Sequence, residues 1–314
     1  MLDDRILLAV DAIRRDSRSG AVELANRAAL LLMEFCDSPH AAERFERELA
    51  FLCRALIGAQ PGMAPLVNLC DAVVRVAKRP GVVYIGGSPQ PATPAQAASN
   101  AALRFYALLA HHPRRIANEM LPYIHSGALL LTHSSSATVL TALLRAHEAG
   151  KRFGVVCTES RPLFEGVHMA RQLAEAGIGV EVIADAAAAV FIHGVYSRLI
   201  GADAITPDVV INKVGTLGMA LAARSAGVPV YCLAGSEKFL PAGGVAGIEE
   251  RDPAEIVPTA PNLRGFNIYF DQTPLTLITK FFSEEGVLTP AGVNEYFSGR
   301  SLHPSLLPEP TCTP

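Results

Sequence analysis

The chain has 314 residues, half of them hydrophobic, with 27 Lys and Arg against 30 Asp and Glu and a formal net charge of −3. That length accommodates two domains and a sizeable core, and without any clustered Lys/Arg run a nucleic-acid partner is not expected. The apolar runs fall far short of a membrane span and the start, MLDDRILLAVDAIRRD, lacks the layout of a signal peptide, so the expected location is cytoplasmic, with no membrane partner.

Helical periodicity dominates residues 1–120. Phe45, Leu49, Leu52 and Leu56 recur at steps of four and three, as do Leu66, Leu69, Val73 and Val76. Cys36, Cys53 and Cys70 sit in these patterns, and none of the six cysteines forms a CxxC pair, so they read as reduced, buried thiols. GGSPQPATP reads as a loop, and Thr93-Pro94 as an N-cap with proline at the first helical position, opening a helix to about His112. The expectation is a helical N-terminal domain.

From Gly127 the rhythm changes to short apolar runs alternating with helical stretches, the mark of repeated βαβ units. Strands are expected near Ala128–Thr132, Phe153–Cys157, Val180–Ala184, Arg198–Ala202 and Val228–Leu233. Gly150, Gly177 and Gly227 stand where helix C-caps belong. The fold class is thus α/β, with residues 121–300 forming a Rossmann-like, doubly wound parallel sheet after the helical domain. The proline-rich tail, 301–314, reads as a loose arm or an oligomer contact.

No G-x-G-x-x-G follows the first strand, where the chain reads HSSSAT, and no phosphate-loop Gly-Lys-Thr is present. No cofactor is expected. His133, His147, His168 and His193 have no mutual metal spacing, so no metal is expected either.

In open α/β sheets ligands bind beyond the carboxyl ends of the strands. Here those exits carry His133-Ser134-Ser135-Ser136, Thr158-Glu159-Ser160-Arg161, Asp185, Asp203 and Gly235-Ser236-Glu237-Lys238, with Asn212 and Lys213 read as opening the helix after the fourth strand. The serine run admits three readings: a helix cap, an anion site at a helix N-terminus, or a nucleophile. Asp185, before AAAAV, reads as an N-cap. Asp203 sits just past an interior strand, where shielding raises a carboxyl pKa and suits it to acid or base work.

Several linked stretches then carry a resemblance over nearly the whole chain: DSRSGAVELANRAA, LTHSSSATVL, TESRPLFEG, GADAITPDVVINKVGTLGMALAA, AGSEKF and YFDQTPLTLITKFFSEEGVLTP. They resemble the family uniting initiation-factor-2B alpha, beta and delta subunits with methylthioribose-1-phosphate and ribose-1,5-bisphosphate isomerases. The resemblance implies a helical domain on a Rossmann-like domain, and a homodimer or higher homo-oligomer. For the isomerases it implies a phosphate held by an early Arg-Gly-Ala turn and a second arginine, with a catalytic cysteine and aspartate near an Asn-Lys pair. Asp203, Asn212 and Lys213 match that set. The early turn reads Arg18-Ser19-Gly20-Ala21, with one residue inserted; Gln60 stands at the second arginine and Ser134 at the cysteine. A serine hydroxyl is far less acidic than a thiol, and glutamine cannot form a bidentate phosphate clamp.

Two functions follow. In one, the chain is a sugar-phosphate isomerase. Asp203 and Ser134 are then catalytic, and Arg18, Gly20, Ala21, Ser135, Ser136, Glu159, Arg161, Asn212, Lys213 and Lys238 bind the phosphorylated substrate. In the other it is a non-catalytic regulatory or initiation-factor-2B-like subunit that senses a sugar phosphate or nucleotide monophosphate.

Overall fold

A computed structural model describes residues 2–16, 19–39, 41–85, 88–240, 248 and 250–307. The chain divides into two compact units. One holds the described residues up to Ala110, Leu240 and the stretch from Gly299; the other runs from His111 to Phe239 and on to Ser298.

In the first unit, α1 (Asp4–Arg15), α2 (Ala21–Asp37), α3 (Ala42–Ala59) and α4 (Ala64–Lys78) follow in sequence. Each buries one stripe of its 3.6-residue period: Ile6, Val10 and Ile13; Leu24, Ala28 and Leu32; Leu49, Leu52 and Leu56; Leu66, Leu69 and Val73. The expected loop before the fifth helix is instead half strand: β1 (Val82–Ile85) pairs antiparallel with β2 (Ser88–Pro91). Proline sits in β2 without breaking a central ladder because this sheet is two-stranded, and so all edge. Thr93 opens α5 (Pro94–Met120) through a reciprocal capping box with Gln96, and the helix runs eight residues beyond His112. The described tail is tied down rather than loose: Arg75 donates to Ser301 O, Arg54 donates to Ser305 O, and His303 N donates to Asp71.

The second unit is a doubly wound sheet. Its strands are β3 (Leu129–Thr132), β4 (Gly154–Thr158), β5 (Gly179–Ile183), β6 (Ser197–Ile200) and β9 (Val230–Leu233), joined near the end by β11 (Lys280–Ser283) and β12 (Gly286–Leu288). The order is β12-β11-β9-β6-β3-β4-β5, parallel but for β12. Between them, α6 (Ala137–Glu148) and α7 (Glu165–Glu175) pack on one face through Val139, Leu143, Met169 and Leu173. The other face takes α8 (Ala188–Phe191), α9 (Thr216–Ala226) and α10 (Pro290–Phe297) through Ala188, Met219, Ala223, Val293 and Phe297. Val155, Val156, Leu130 and Leu131 are fully buried between the layers, as a sheet covered on both faces requires.

A second sheet lies across the chain that follows β6. It consists of β7 (Ala204–Ile205), β8 (Val209–Lys213) and β10 (Phe270–Pro274), in the order β10-β8-β7 and antiparallel throughout. Asn212 and Lys213 therefore end a strand instead of opening a helix. Among the described residues, no helix is long and apolar enough to cross a membrane.

Candidate functional site

Strand order reverses at β3: β4 and β5 lie to one side, β6, β9 and β11 to the other. This is the switch point where the loops leaving β3 and β6 diverge and open a crevice. The loop after β3 carries His133–Ser136, and the loop after β6 carries Asp203. The two run so close that a Cβ on Gly201 would lie 2.6 Å from Ser136 Oγ, so only glycine fits there.

On the β3 side the polar groups bind one another. His133 is buried, its Nε2 2.9 Å from the carbonyl of Val214 and its Nδ1 2.6 Å from Thr158 Oγ1. A carbonyl can only accept, so Nε2 carries the proton and Nδ1 accepts from the threonine hydroxyl. Thr158 Oγ1 in turn lies 3.1 Å from Ser160 Oγ, which accepts the Ser134 amide proton at 2.8 Å. Burial, then the Arg198 charge, pushes the His133 pKa down to about 4, which keeps the ring neutral. The chain of bonds holds Ser134 at φ +66°, a left-handed conformation uncommon outside glycine. His133 is thus engaged on both nitrogens and does not serve Ser134 as a base. Ser136 caps α6, accepting from Val139 N at 3.3 Å, and Ser135 is exposed.

Asp185 caps no helix. Its two oxygens accept the Ser160 and Arg161 amides at 2.7 Å each, because the loop after β4 turns its N–H groups toward the end of β5. Arg161 points its guanidinium at the Glu255 carbonyl (3.4 Å) and over the Phe164 ring. Glu159 is half-buried and joins Ile183 through its backbone.

On the β6 side the balance differs. The Asp203 carboxyl accepts no hydrogen bond from any described residue; burial raises its pKa, while the charges of Lys238 and Lys213 pull it down and that of Glu165 pushes it up. Lys238 is buried; its backbone N–H donates to the Gly235 carbonyl at 2.9 Å, and its ammonium makes no hydrogen bond or ion pair to a described residue. Lys213 is held at 2.8 Å by Glu165 Oε1 and lies over the Tyr269 ring at 4.9 Å. The other Glu165 oxygen is buried without a partner. Asn212 donates to Thr216 Oγ1 at 3.0 Å and so fixes the start of α9. The amides there, Gly215 and Leu217, are taken by Asp271 Oδ2 at 2.8 and 3.0 Å, so this helix end presents its own carboxylate.

Lys213, Lys238 and Glu165 thus all act through their charges on the one carboxyl group of Asp203. In sequence Glu165 carries no signal beyond that of an ordinary acid in the first turn of α7, although it lies in TESRPLFEG. Of the early turn, Arg18 lies outside the described residues. Gly20 is the N-cap residue of α2, and Ala21 is buried. Gln60 is buried, and its amide donates to the Ile13 and Asp16 carbonyls at 3.0 and 2.9 Å, closing the end of α1. Cys157 is inert, its thiol pushed up to about 12 by burial. One group of possible metal ligands occurs among the described residues: His112, Glu237 and Glu284, with ligand atoms within 4.8 Å of one another.

The model of the initiation factor 2 subunit family matches residues 17–290. The chain belongs to that family. It is 34% identical to a ribose 1,5-bisphosphate isomerase of Archaeoglobus fulgidus over 294 residues, covering 91% of this chain and 90% of the relative. It is 32% identical to a putative translation initiation factor eIF-2B subunit 2-like protein of Pyrococcus horikoshii, covering 92% and 98%. Among solved structures, the P. horikoshii OT3 translation initiation factor eIF-2B superposes with a TM-score of 0.79 at 31% identity, covering 92% of this chain and 98% of that one. A 5-methylthioribose 1-phosphate isomerase from the same organism, at 21% identity and a TM-score of 0.69, shares the fold.

Proposed function

We propose that this member of the family binds a phosphorylated ribose at the carboxyl rim of its parallel sheet and isomerises it between aldose and ketose, with Asp203 as acid and base. The observation that carries this reading is the Asp203 carboxyl: raised in pKa, flanked by two lysine charges, and bonded to no described residue. As the C1–O4 ring bond of a ribose 1-phosphate breaks, a carboxyl in that state takes the proton from C2 and returns it to C1, while the O2 hydroxyl proton passes to O4 and leaves the ketone at C2. The enediolate oxygen formed between the two transfers gains its negative charge beside Lys213 and Lys238. Ser135, Ser136 and the amides of the α6 N-terminus suit the phosphate; Glu165, through its unpartnered oxygen, suits a sugar hydroxyl.

The test is conversion of ribose 1,5-bisphosphate and methylthioribose 1-phosphate by purified protein, followed by phosphorus NMR. The absence of both conversion and thermal stabilisation with either compound sinks the reading.

One observation favours a second reading, a non-catalytic sensor in a homodimer or higher assembly: the histidine beside Ser134, the position where the resemblance implies a cysteine, is engaged elsewhere on both nitrogens. Stabilisation by a sugar phosphate without turnover, with turnover appearing in Ser134→Cys, selects that reading.

A further inference from the structure

The rim holds a buried cluster that the proposed chemistry leaves unused. His112, on α5, places Nδ1 2.7 Å from Glu237 Oε2 and Nε2 3.5 Å from Glu284 Oε1. Glu237 belongs to the single 3-10 turn Ser236–Lys238 after β9, and Glu284 directly follows β11. Glu284 also accepts the Ser236 amide, at 3.0 Å to Oε2. The turn is thus gripped at both of its first two residues, and its third is Lys238. All three acid–base groups are buried. The fit is tight: a Cβ on Gly235 would lie 2.1 Å from Glu237 Oε2 and 2.8 Å from His112 Nδ1.

A metal does not suit this geometry. The two carboxylates approach different ring nitrogens, whose lone pairs diverge, whereas a metal takes one nitrogen and both carboxylates at roughly 2.0–2.2 Å. A proton on each nitrogen suits it directly. Each then donates to its own carboxylate, and the ring is an imidazolium.

We propose that His112 is a positioning residue: bonded as an imidazolium between Glu237 and Glu284, it locks the Ser236–Lys238 turn and so aims the Lys238 ammonium at Asp203. This rests on the reading of Asp203 and Lys238 as the substrate site. Burial alone would lower the His112 pKa; the Glu237 hydrogen bond and the charges of Glu237 and Glu284 outweigh it, against Arg115 on the same helix, and the net direction is upward. The lock therefore persists to higher pH than the charge of an ordinary imidazole and releases as pH rises further.

The test reads the lock and the ligand separately. Nitrogen NMR of histidine-labelled protein at neutral pH is expected to show both His112 nitrogens protonated. Reductive methylation by formaldehyde and cyanoborohydride, read by peptide mass spectrometry, compares Lys238 with exposed Lys78. The ratio is expected to rise about tenfold in His112→Gln, and in wild type as alkaline pH deprotonates the ring. Should His112→Gln fail to fold with two buried carboxylates unmatched, His112→Gln/Glu237→Gln removes one of them and carries the same expectation. Affinity for ribose 1,5-bisphosphate is expected to weaken about tenfold in either variant, with its alkaline decline abolished. A singly protonated His112 in wild type, or an unchanged labelling ratio in the variant that folds, overturns the proposal. Absence of any ribose 1,5-bisphosphate binding by wild type overturns the substrate-site reading instead, and the NMR and labelling still decide the lock.

Discussion

The two corners of the rim, only a glycine's width apart, are built on opposite principles. Around Ser134 the side chains of His133, Thr158 and Ser160 meet one another or the backbone, and the strained serine is held by that closed circuit. Around Asp203 a carboxyl and the Lys238 ammonium lie partly or wholly out of water without a described protein partner. Burying charge without pairing it costs stability. A fold keeps such groups where something other than folding uses them. The difference teaches which corner is scaffold and which is suited to chemistry, and it runs against the first impression left by the HSSS sequence.

The comparison breaks most directly at Asp203. Replacing it by Asn is expected to remove a hundredfold or more of any turnover, about the lower end of what general acid–base catalysis contributes. The same variant is expected to be more thermally stable. The sign follows from the raised pKa: the folded state holds this proton more tightly than the unfolded one, so stability falls as pH climbs from the ordinary carboxylate value to the raised one. Kinetics and melting curves moving in opposite directions would mark the residue as functional; a loss of both would make it scaffold.

The Ser134 corner is expected to behave in the reverse way. The neutral, buried His133, depressed from 6.5 to about 4, gives stability present above the unfolded value and lost as pH falls through the folded one. The loss over that window is about 3 kcal/mol, measurable by urea unfolding across pH, and is expected to vanish from the profile of His133→Gln. Ser160→Ala strands the Ser134 amide and is expected to cost about 2 kcal/mol. Ser136→Ala, which removes the α6 cap, is expected to cost about 1 kcal/mol. Ligand affinity tracking either serine beyond its stability cost would move the phosphate site toward this corner.

The sequence announced the large sheet because each of its main strands is an apolar run bounded by polar residues or glycine, as in LLLTHSS and FGVVCTES. The small sheet was not legible in that way. Ala204–Ile205 is two residues long, Phe270–Pro274 is FDQTP with a single aromatic, and VVINK runs straight into a helical pattern. Because VVINK does not stand out as a strand, Asn212 and Lys213 read as the opening of a helix although they end β8. Asp185 was misjudged because a cap depends on where the neighbouring loop points its amides, which no local pattern encodes. Asp203 was legible because its position past a buried strand implies shielding. His112 was not, because its partners, Glu237 and Glu284, lie 125 and 172 residues further along.

The pairing of β8 with β10 reaches beyond geometry into the order of synthesis. Lys213 lies opposite Phe270 and Asn212 opposite Asp271, and Asp271 also supplies the carboxylate that holds the first amides of α9. A nascent chain that has emerged only through α9 has made the lysine and the asparagine but not the strand that sets their register. The proposed substrate corner is therefore among the last parts of the molecule to take shape, after residue 274 has cleared the ribosome. A chain broken off before that strand would carry nearly every residue of the site with its lysine and asparagine left unaligned.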